Sequence, residues 1–528
     1  MKAVWRQLAG LFADAGVTHV FGLPADEPEL LDAARAEPRL SAVVVRDQRA
    51  AALAAIGHAQ VSGGPAVLAL TPGPAFTNSL TGLLEASSLG VPMIVVTSST
   101  NPAEAARGGF QVTPQEQLVS PLVSWYHKLG EPTQVGWAVR RALHLSLNQR
   151  PGVTVIEVDH HLAAAEDVER VSPPEPLTCV PDDHTIRRAV ALLSRSERPL
   201  ILAGGGSRGA GEQIVACARR WGAMVLTTAA GRGVIDETHP ASLGNAGLYA
   251  SRETADVVAR ADALLVVGSA LEETVRMGWP RLRCLPVVQI DRDPSAFGRA
   301  VRPEVAVWGD AGKTLRLLLD HGGAGERPYW ASCEIPPRRE SLAATTLRTI
   351  WSTLGRDAVL VQENGLHDMW SFDRSAIAVR QGTPVVTPGE QTTMGFGVPA
   401  AIGAATAAPG RDLLVVCGDS ACEISITALP TLLHVHPSPV VVMLSNRGWG
   451  WPRAGREEKQ RDLTVVRDPL PIRDIARSLG MTVVTVRAEG DLDEVVGTRR
   501  AEPRKPLLVV VEVDDHDVSP GVHRELAG

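Results

Sequence analysis

Gly418-Asp419-Ser420 closes one apolar run, and Asn446 closes the next run 27 positions later, with Gly448 just beyond it. A glycine at a strand end permits a tight turn, and a helix beginning at Ala421 would present its first amides to an anion. Asp419 would then face a phosphate, and two anions repel unless a cation lies between them. Mg²⁺ meets that need with one or two carboxylates, carbonyls and phosphate oxygens. Asp419, Asn446 and the Gly448 carbonyl are therefore the candidate ligands. A Gly-Asp-Ser turn alone is ordinarily only a turn; the asparagine is what points to chemistry.

Such turns need strands to carry them. Ala42 to Val45, Val67 to Leu70, Met93 to Val96, Val153 to Val158, Leu200 to Ala203, Ala263 to Val267, Leu413 to Cys417, Val440 to Leu444 and Leu507 to Val513 are continuous apolar runs separated by stretches of helical length. Continuous rather than alternating apolar strands are buried on both faces, which predicts parallel sheets between helices. The class is α/β, with doubly wound parallel sheets. Glu166 to Asp183 and His321 to Glu340, rich in Pro and charge, read as linkers. They divide the chain into domains 1–165, 184–320 and 341–528, each of ordinary size. In such sheets ligands sit beyond the carboxyl ends of strands. Those ends here read Arg46-Asp47-Gln48, Thr71-Pro72-Gly73-Pro74, Gly204-Gly205-Gly206, Gly418-Asp419-Ser420 and Ser445-Asn446-Arg447-Gly448.

Gly418-Asp419-Ser420 with Ser445-Asn446 resembles the GDG…NN motif by which thiamine diphosphate (ThDP) enzymes hold the cofactor's diphosphate through Mg²⁺. Phe21-Gly22-Leu23-Pro24 is similar to the family's FGxPG, and Thr71-Pro72-Gly73-Pro74-Ala75-Phe76-Thr77-Asn78 to its TSGPGATN. Met394-Gly395-Phe396-Gly397-Val398-Pro399-Ala400-Ala401-Ile402-Gly403 resembles MGFGLPAAIG, and Gly365-Leu366-His367-Asp368-Met369-Trp370 the GQHQMW of acetolactate synthases. The resemblance, to the acetolactate synthase and benzoylformate decarboxylase branch, runs nearly the whole length. It implies a pyrimidine-binding, a central Rossmann-like and a diphosphate-binding domain, in that order. It also implies a homo-oligomer, at least a dimer, with active sites shared between subunits.

Carried over residue by residue, Asp419, Asn446 and the Gly448 carbonyl match the Mg²⁺ ligands, and Gly418, Ser420 and Ala421 belong to the diphosphate turn. His367 matches a residue near the diphosphate, with a purely structural role as the alternative. Met394 matches the apolar wedge that bends the cofactor; core packing is the alternative, since Met commonly fills gaps. Asn78 and Gln111 match cleft positions that can contact substrate.

The pattern breaks at the catalytic glutamate. The family's RHEQGAA reads here Arg46-Asp47-Gln48-Arg49-Ala50-Ala51-Ala52, so Gln48 takes the place of the glutamate that bonds N1′ of the aminopyrimidine. An amide can donate an N–H there but cannot deliver a proton. Asp47 is a less attractive stand-in, because adjacent residues at a strand end point to opposite sides. The GMVxQW of acetolactate synthases is replaced by Gly450-Trp451-Pro452-Arg453-Ala454-Gly455, and polar Trp449 to Asp468 reads as a lid or a solvated loop. The flavin-contacting GARFDDRV is Gly268-Ser269-Ala270-Leu271-Glu272-Glu273-Thr274-Val275, without its arginine, so FAD is not expected. Pro430 should kink the helix after the metal turn.

The resemblance implies ThDP- and Mg²⁺-dependent decarboxylation of a 2-oxo acid, carboligation of the resulting carbanion to an acceptor, or both. The alternatives are a lyase or decarboxylase of acyl-CoA thioesters and a non-catalytic homologue serving as a partner subunit. The 528 residues carry a formal net charge of −7 without a basic tract, which argues against nucleic-acid and membrane partners. No apolar run approaches the roughly 18 to 20 residues of a membrane span. Residues 1–12 read as an amphipathic helix rather than a signal, and the six cysteines show no metal spacing. The expected location is cytoplasmic, with reduced thiols.

Overall fold

The apolar runs are strands in the computed structural model, which describes residues 2–148, 150–164, 170–173, 175, 177–279, 281–332 and 341–522. Strands β1 (His19–Gly22), β2 (Ser41–Val44), β3 (Ala66–Leu70), β4 (Met93–Ser98), β5 (Trp125–Leu129) and β6 (Val153–Val158) form a parallel sheet ordered β2-β1-β3-β4-β6-β5. A second sheet runs β12-β11-β10-β7-β8-β9, from β7 (Pro199–Ala203), β8 (Met224–Thr227), β9 (Ser242–Asn245), β10 (Ala263–Val267), β11 (Val287–Asp291) and β12 (Val305–Trp308). Read from its other edge, this is the strand order of a dinucleotide-binding Rossmann fold. The third sheet, ordered β14-β13-β15-β16-β18-β17, contains β13 (Val359–Gln362), β14 (Val385–Val386), β15 (Leu413–Gly418), β16 (Val440–Ser445), β17 (Thr482–Val486) and β18 (Leu507–Glu512). It repeats the topology of the first. In both, the order reverses beside the first strand, and ligands bind at such switch points.

The chain forms two compact units. One comprises Met1–Leu177, Gln391–Leu413 and Ala421–Pro439; the other comprises Thr178–Glu390, Leu414–Ser420 and Val440–Gly528. In the first unit, helix Gln48–Ser62 is buried from Ala50 to Ala59 and packs on helix Gly397–Ala407, which is itself almost wholly buried. Small residues make this close approach possible. A Cβ on Gly57 would overlap the Ala400 carbonyl, and one on Gly403 the Ala54 carbonyl.

In the second unit the Arg232 guanidinium and Glu237 carboxylate are 0% and 1% exposed and pair through two hydrogen bonds of 2.8 and 3.0 Å. Arg232 also donates to the Ser371 and Ile377 carbonyls, and Glu237 accepts from Val379 N at 2.9 Å. This pair fixes residues 371–379, next to a segment used by the site below. Breaking a buried pair strands one charge without compensation. Glu237→Gln should therefore cost ~3–5 kcal/mol, read as a lower urea midpoint; a midpoint within error of the parent's would remove the pair from the account of stability.

Two sequence expectations are corrected or refined. Pro430 does not kink a helix, because helix Asp419–Ile424 has already ended and Pro430 lies in the first turn of helix Leu429–Val435, where its missing N–H costs nothing. The second linker begins later than expected: His321 ends helix Ala311–His321, while Tyr329 and Trp330 pack on the core of the second sheet. Residues 166–169, 174, 176 and 333–340 of the linkers, with Cys333, lie outside the described residues; Cys179, Cys217, Cys284, Cys417 and Cys422 form no disulfide among the described residues. Among the described residues no helix is long and apolar enough to cross a membrane.

Candidate functional site

The chemistry-bearing residues fall into two groups. The first lies at the carboxyl ends of β13, β15 and β16. Gly418 ends β15, and helix Asp419–Ile424 starts two residues earlier than expected and lasts only six residues. Asp419 accepts from Ser420 N at 2.7 Å and, more distantly, the Ser420 hydroxyl at 3.4 Å on Oδ1, and from Arg447 N at 2.7 Å and the Ser445 hydroxyl at 3.1 Å on Oδ2. The Ser420 hydroxyl donates to the Gly448 carbonyl at 3.2 Å, so both turns are bound together before any ligand arrives. Asn446 turns its Nδ2 towards Asp515 Oδ1, 3.5 Å away, which leaves its Oδ1 as the outward end. The carboxylate, amide and carbonyl oxygens expected to bind metal thus come from one pair of adjacent turns. Among the described residues no three acidic, His or Cys side chains are grouped to hold a metal, so a cation here would rely on the amide and the carbonyl.

Two residues of this group were missed in the sequence. Asp368 is fully buried, and its Oδ2 accepts from Gly365 N at 2.9 Å and Gly418 N at 3.0 Å. Burial, reinforced by the Asp419 charge, pushes its carboxyl up to about 7. Its Oδ1 and both polar atoms of the Asn364 side-chain amide are buried with no partner among the described residues. The signal was present, since Asp368 replaces the second glutamine of GQHQMW. Arg453 is the other. It donates to the Asn446 carbonyl at 3.2 Å, the Thr464 carbonyl at 3.3 Å and Asp515 at 2.6 Å. A Cβ on Gly448 would collide with Arg453 and the Thr464 carbonyl.

The segment after Gly448 is consequently less free than its polarity suggested. Helix Gly450–Ala454 sends the Trp451 indole N–H to the Asn364 carbonyl at 3.1 Å, and Gly448 pairs with Val465 in an antiparallel bridge. Glu457, Glu458 and Lys459 remain exposed. His367 is buried; its Nε2–H donates to the Asp514 carbonyl at 3.1 Å, and burial holds its pKa below the ordinary value. Ala421 is buried, so only its backbone could meet a ligand.

The second group surrounds the start of helix Gln48–Ser62. Asp47 caps this helix, its carboxylate accepting from Ala50 N at 3.0 Å, and so is committed to the backbone. Gln48 is the first helical residue, and its Oε1 accepts from Asn78 Nδ2 at 3.2 Å. Gln111, at φ +55°, lays its side chain over Gly73, where a Cβ would lie 2.9 Å from the Gln111 Cβ. Met394 is 37% exposed, so it is no core filler, and its carbonyl accepts from Arg49 Nη2 at 3.0 Å. Thr393 N donates to buried Glu85 at 3.0 Å. The structure therefore brings Gln48, Asn78, Arg49 and Met394 to one neighbourhood, with the Gln111 side chain over the Gly73 turn that opens the helix of Asn78.

In the second sheet, the glycine-rich turn at the strand-order reversal is closed. Gly206 N donates to the Gly268 carbonyl at 3.0 Å, and a Cβ on Gly206 would lie 2.9 Å from Gly268 Cα. These glycines serve packing between the β7 and β10 turns.

Comparison with known proteins agrees with this layout. The thiamine pyrophosphate enzyme N-terminal TPP binding domain matches residues 3–118, the central domain residues 186–318 and the C-terminal TPP binding domain residues 363–512. An acetolactate synthase large subunit of Parasynechococcus marenigrum is 27% identical over 509 residues, covering 89% of this chain and 81% of its own. A Lactococcus lactis acetolactate synthase large subunit is 26% identical over 476 residues, covering 86% and 82%. A Pseudomonas aeruginosa protein named "Probable 2-ketoarginine decarboxylase" is 29% identical over 462 residues, covering 84% and 81%. With all three domains matched in order on three parallel sheets, the chain belongs to the thiamine pyrophosphate enzyme family, on its acetolactate synthase branch.

Proposed function

We propose that this protein is a ThDP- and Mg²⁺-dependent enzyme that decarboxylates a 2-oxo acid, transfers the remaining acyl unit to an aldehyde or ketone acceptor, or does both. The observation that carries this reading is the joined pair of turns presenting Asp419, Asn446 Oδ1 and the Gly448 carbonyl. That hard-oxygen set suits Mg²⁺, and Gly418 and Ser420 line the same turn. ThDP, when bound, supplies the electron sink that permits loss of CO₂ from a 2-oxo acid. Met394, exposed on a turn held by Arg49, is available to support the cofactor, and Asn78 and Gln111 are available to substrate. His367, engaged with Asp514, positions the turn that carries Asp368.

Domains 1–165, 184–320 and 341–528 would serve as the pyrimidine-binding, central and diphosphate-binding domains of a cytoplasmic homo-oligomer with shared active sites. Exposed Phe110, Val44, Met394 and Ile424 are apolar surface that a second copy would bury. FAD is not expected, because Gly268 packs against the central glycine turn, Ala270 and Thr274 stand at the arginine positions of the flavin-contacting stretch, and Glu272 and Glu273 would lie beside a flavin diphosphate. Gln48 is the observation that favours the second reading, a non-catalytic homologue.

Purified protein with ThDP and Mg²⁺, offered a panel of 2-oxo acids with and without aldehydes, should release CO₂ from at least one acid and show no flavin absorption. CO₂ release from none, with ThDP bound, would favour the non-catalytic reading; stoichiometric flavin would overturn the FAD assignment.

A further inference from the structure

Gln48 differs from a carboxylate in having two unlike ends, and what it presents to a ligand depends on which end is already engaged. Its Oε1 accepts the Asn78 amide N–H at 3.2 Å. The two residues are carried on helices Gln48–Ser62 and Pro74–Leu89, which cannot slide past each other, because Gly82 lies against Ala52 with no room for a Cβ. Asn78 sits four residues before Gly82, as Gln48 sits four before Ala52, so this packing holds the two amides opposite each other. Asp47, the neighbouring polar residue, is taken up by its helix cap and does not compete.

We propose that Asn78 is a positioning residue that turns the Gln48 amide so that its N–H edge, and not its carbonyl, faces the cofactor. The proposal rests on the ThDP reading above. An N–H edge matches N1′ of the aminopyrimidine while that nitrogen is an acceptor, in the neutral amino form. A carbonyl edge would match N1′ only when it carries a proton. The pair therefore holds the bound aminopyrimidine in its amino form, and Asn78 and Gln48 together determine the resting protonation state that a glutamate would otherwise bias the other way.

The test uses two substitutions at Asn78, an exposed position that should tolerate both. Asn78→Asp can only accept, so it should draw the Gln48 N–H towards itself and turn the carbonyl outward; Asn78→Ala removes the donor alone. In apo-protein carrying ¹⁵N-labelled glutamine side chains, with the resonance assigned through Gln48→Ala, N78D should move the Gln48 N–H signals downfield and N78A should leave them nearly in place. With ThDP and Mg²⁺ added, N78D should gain the near-ultraviolet circular-dichroism band of the imino tautomer, which the parent lacks, and C2 hydrogen–deuterium exchange should rise by about tenfold.

An upfield shift in N78A with little change in N78D would show that the N–H edge already faced Asn78 in the parent, and would overturn the proposal. So would an unchanged tautomer band in N78D with ThDP shown by calorimetry to be bound. If the parent binds no ThDP, the functional reading fails with the cofactor half of the proposal, while the apo resonances still decide which way Asn78 turns Gln48.

Discussion

Gln48→Glu should raise hydrogen–deuterium exchange at C2 of bound ThDP by ~10²–10⁴-fold, the usual contribution of a positioned proton-transfer group. In barrier terms this is about 3–5 kcal/mol. Gln48 begins its helix, and its side-chain oxygen is 3.2 Å from the Asn78 amide, so a glutamate has a donor waiting and requires no backbone change. The same Asn78 donor would hold the new carboxyl group in place while it delivers a proton to N1′ and then accepts a hydrogen bond from the N1′–H. Turnover is a separate quantity, because a site built around a neutral amide can be slowed by an added charge while exchange accelerates. Quenched NMR of C2 exchange and steady-state CO₂ release should therefore be measured on the same samples. Unchanged exchange in protein shown to hold ThDP would mean that position 48 does not reach the aminopyrimidine.

Asp419→Ala should lower ThDP affinity by at least ~100-fold, about 2.8 kcal/mol, to or below the limit of calorimetry. Two effects combine. The substitution removes the only carboxylate of the candidate metal set, and it strands Ser420 N, Arg447 N and the Ser445 hydroxyl, which together shape both turns. Asp419→Asn separates them in part, since its one oxygen can still accept from Arg447 N and the Ser445 hydroxyl, while its NH₂ replaces the acceptor of Ser420 N and the negative charge is lost. It should melt between Asp419→Ala and the parent and still lose metal-dependent binding. ThDP affinity unchanged in either variant, or insensitive to a chelator in the parent, would sink the metal assignment.

Much of the fold was legible because central parallel strands are buried on both faces and must be continuously apolar. β3, β4, β7, β10 and β15 appear as such runs within a residue or two of their observed ends. Edge strands escape that requirement. β5, with the sequence WYHKL, has an open edge and carries no continuous run, and β12, with the short sequence VAVW, alternates between buried and exposed residues. Pro430 was misread for a related reason: a helix break requires no particular side chain upstream, and the end of helix Asp419–Ile424 is not announced by glycine.

At the site, residue type and spacing were sufficient for what local backbone geometry dictates. A Gly-Asp turn after a buried strand and an asparagine at the end of the next strand follow from chain order alone, and the loss of a carboxylate at position 48 is a matter of composition. Partners from distant segments are not encoded locally. Asn78 lies 30 positions from Gln48, Arg49 lies 345 from Met394, and Asp368 lies 50 from Gly418. Each pair forms because helices and strands pack with small residues between them, and hydrogen-bond direction in a packed interior depends on which acceptor remains unengaged. The sequence by itself therefore determined the sheet class and which chemical groups are present; tertiary packing decided that Asp47 caps a helix, that Met394 stands exposed, and which end of the Gln48 amide is free.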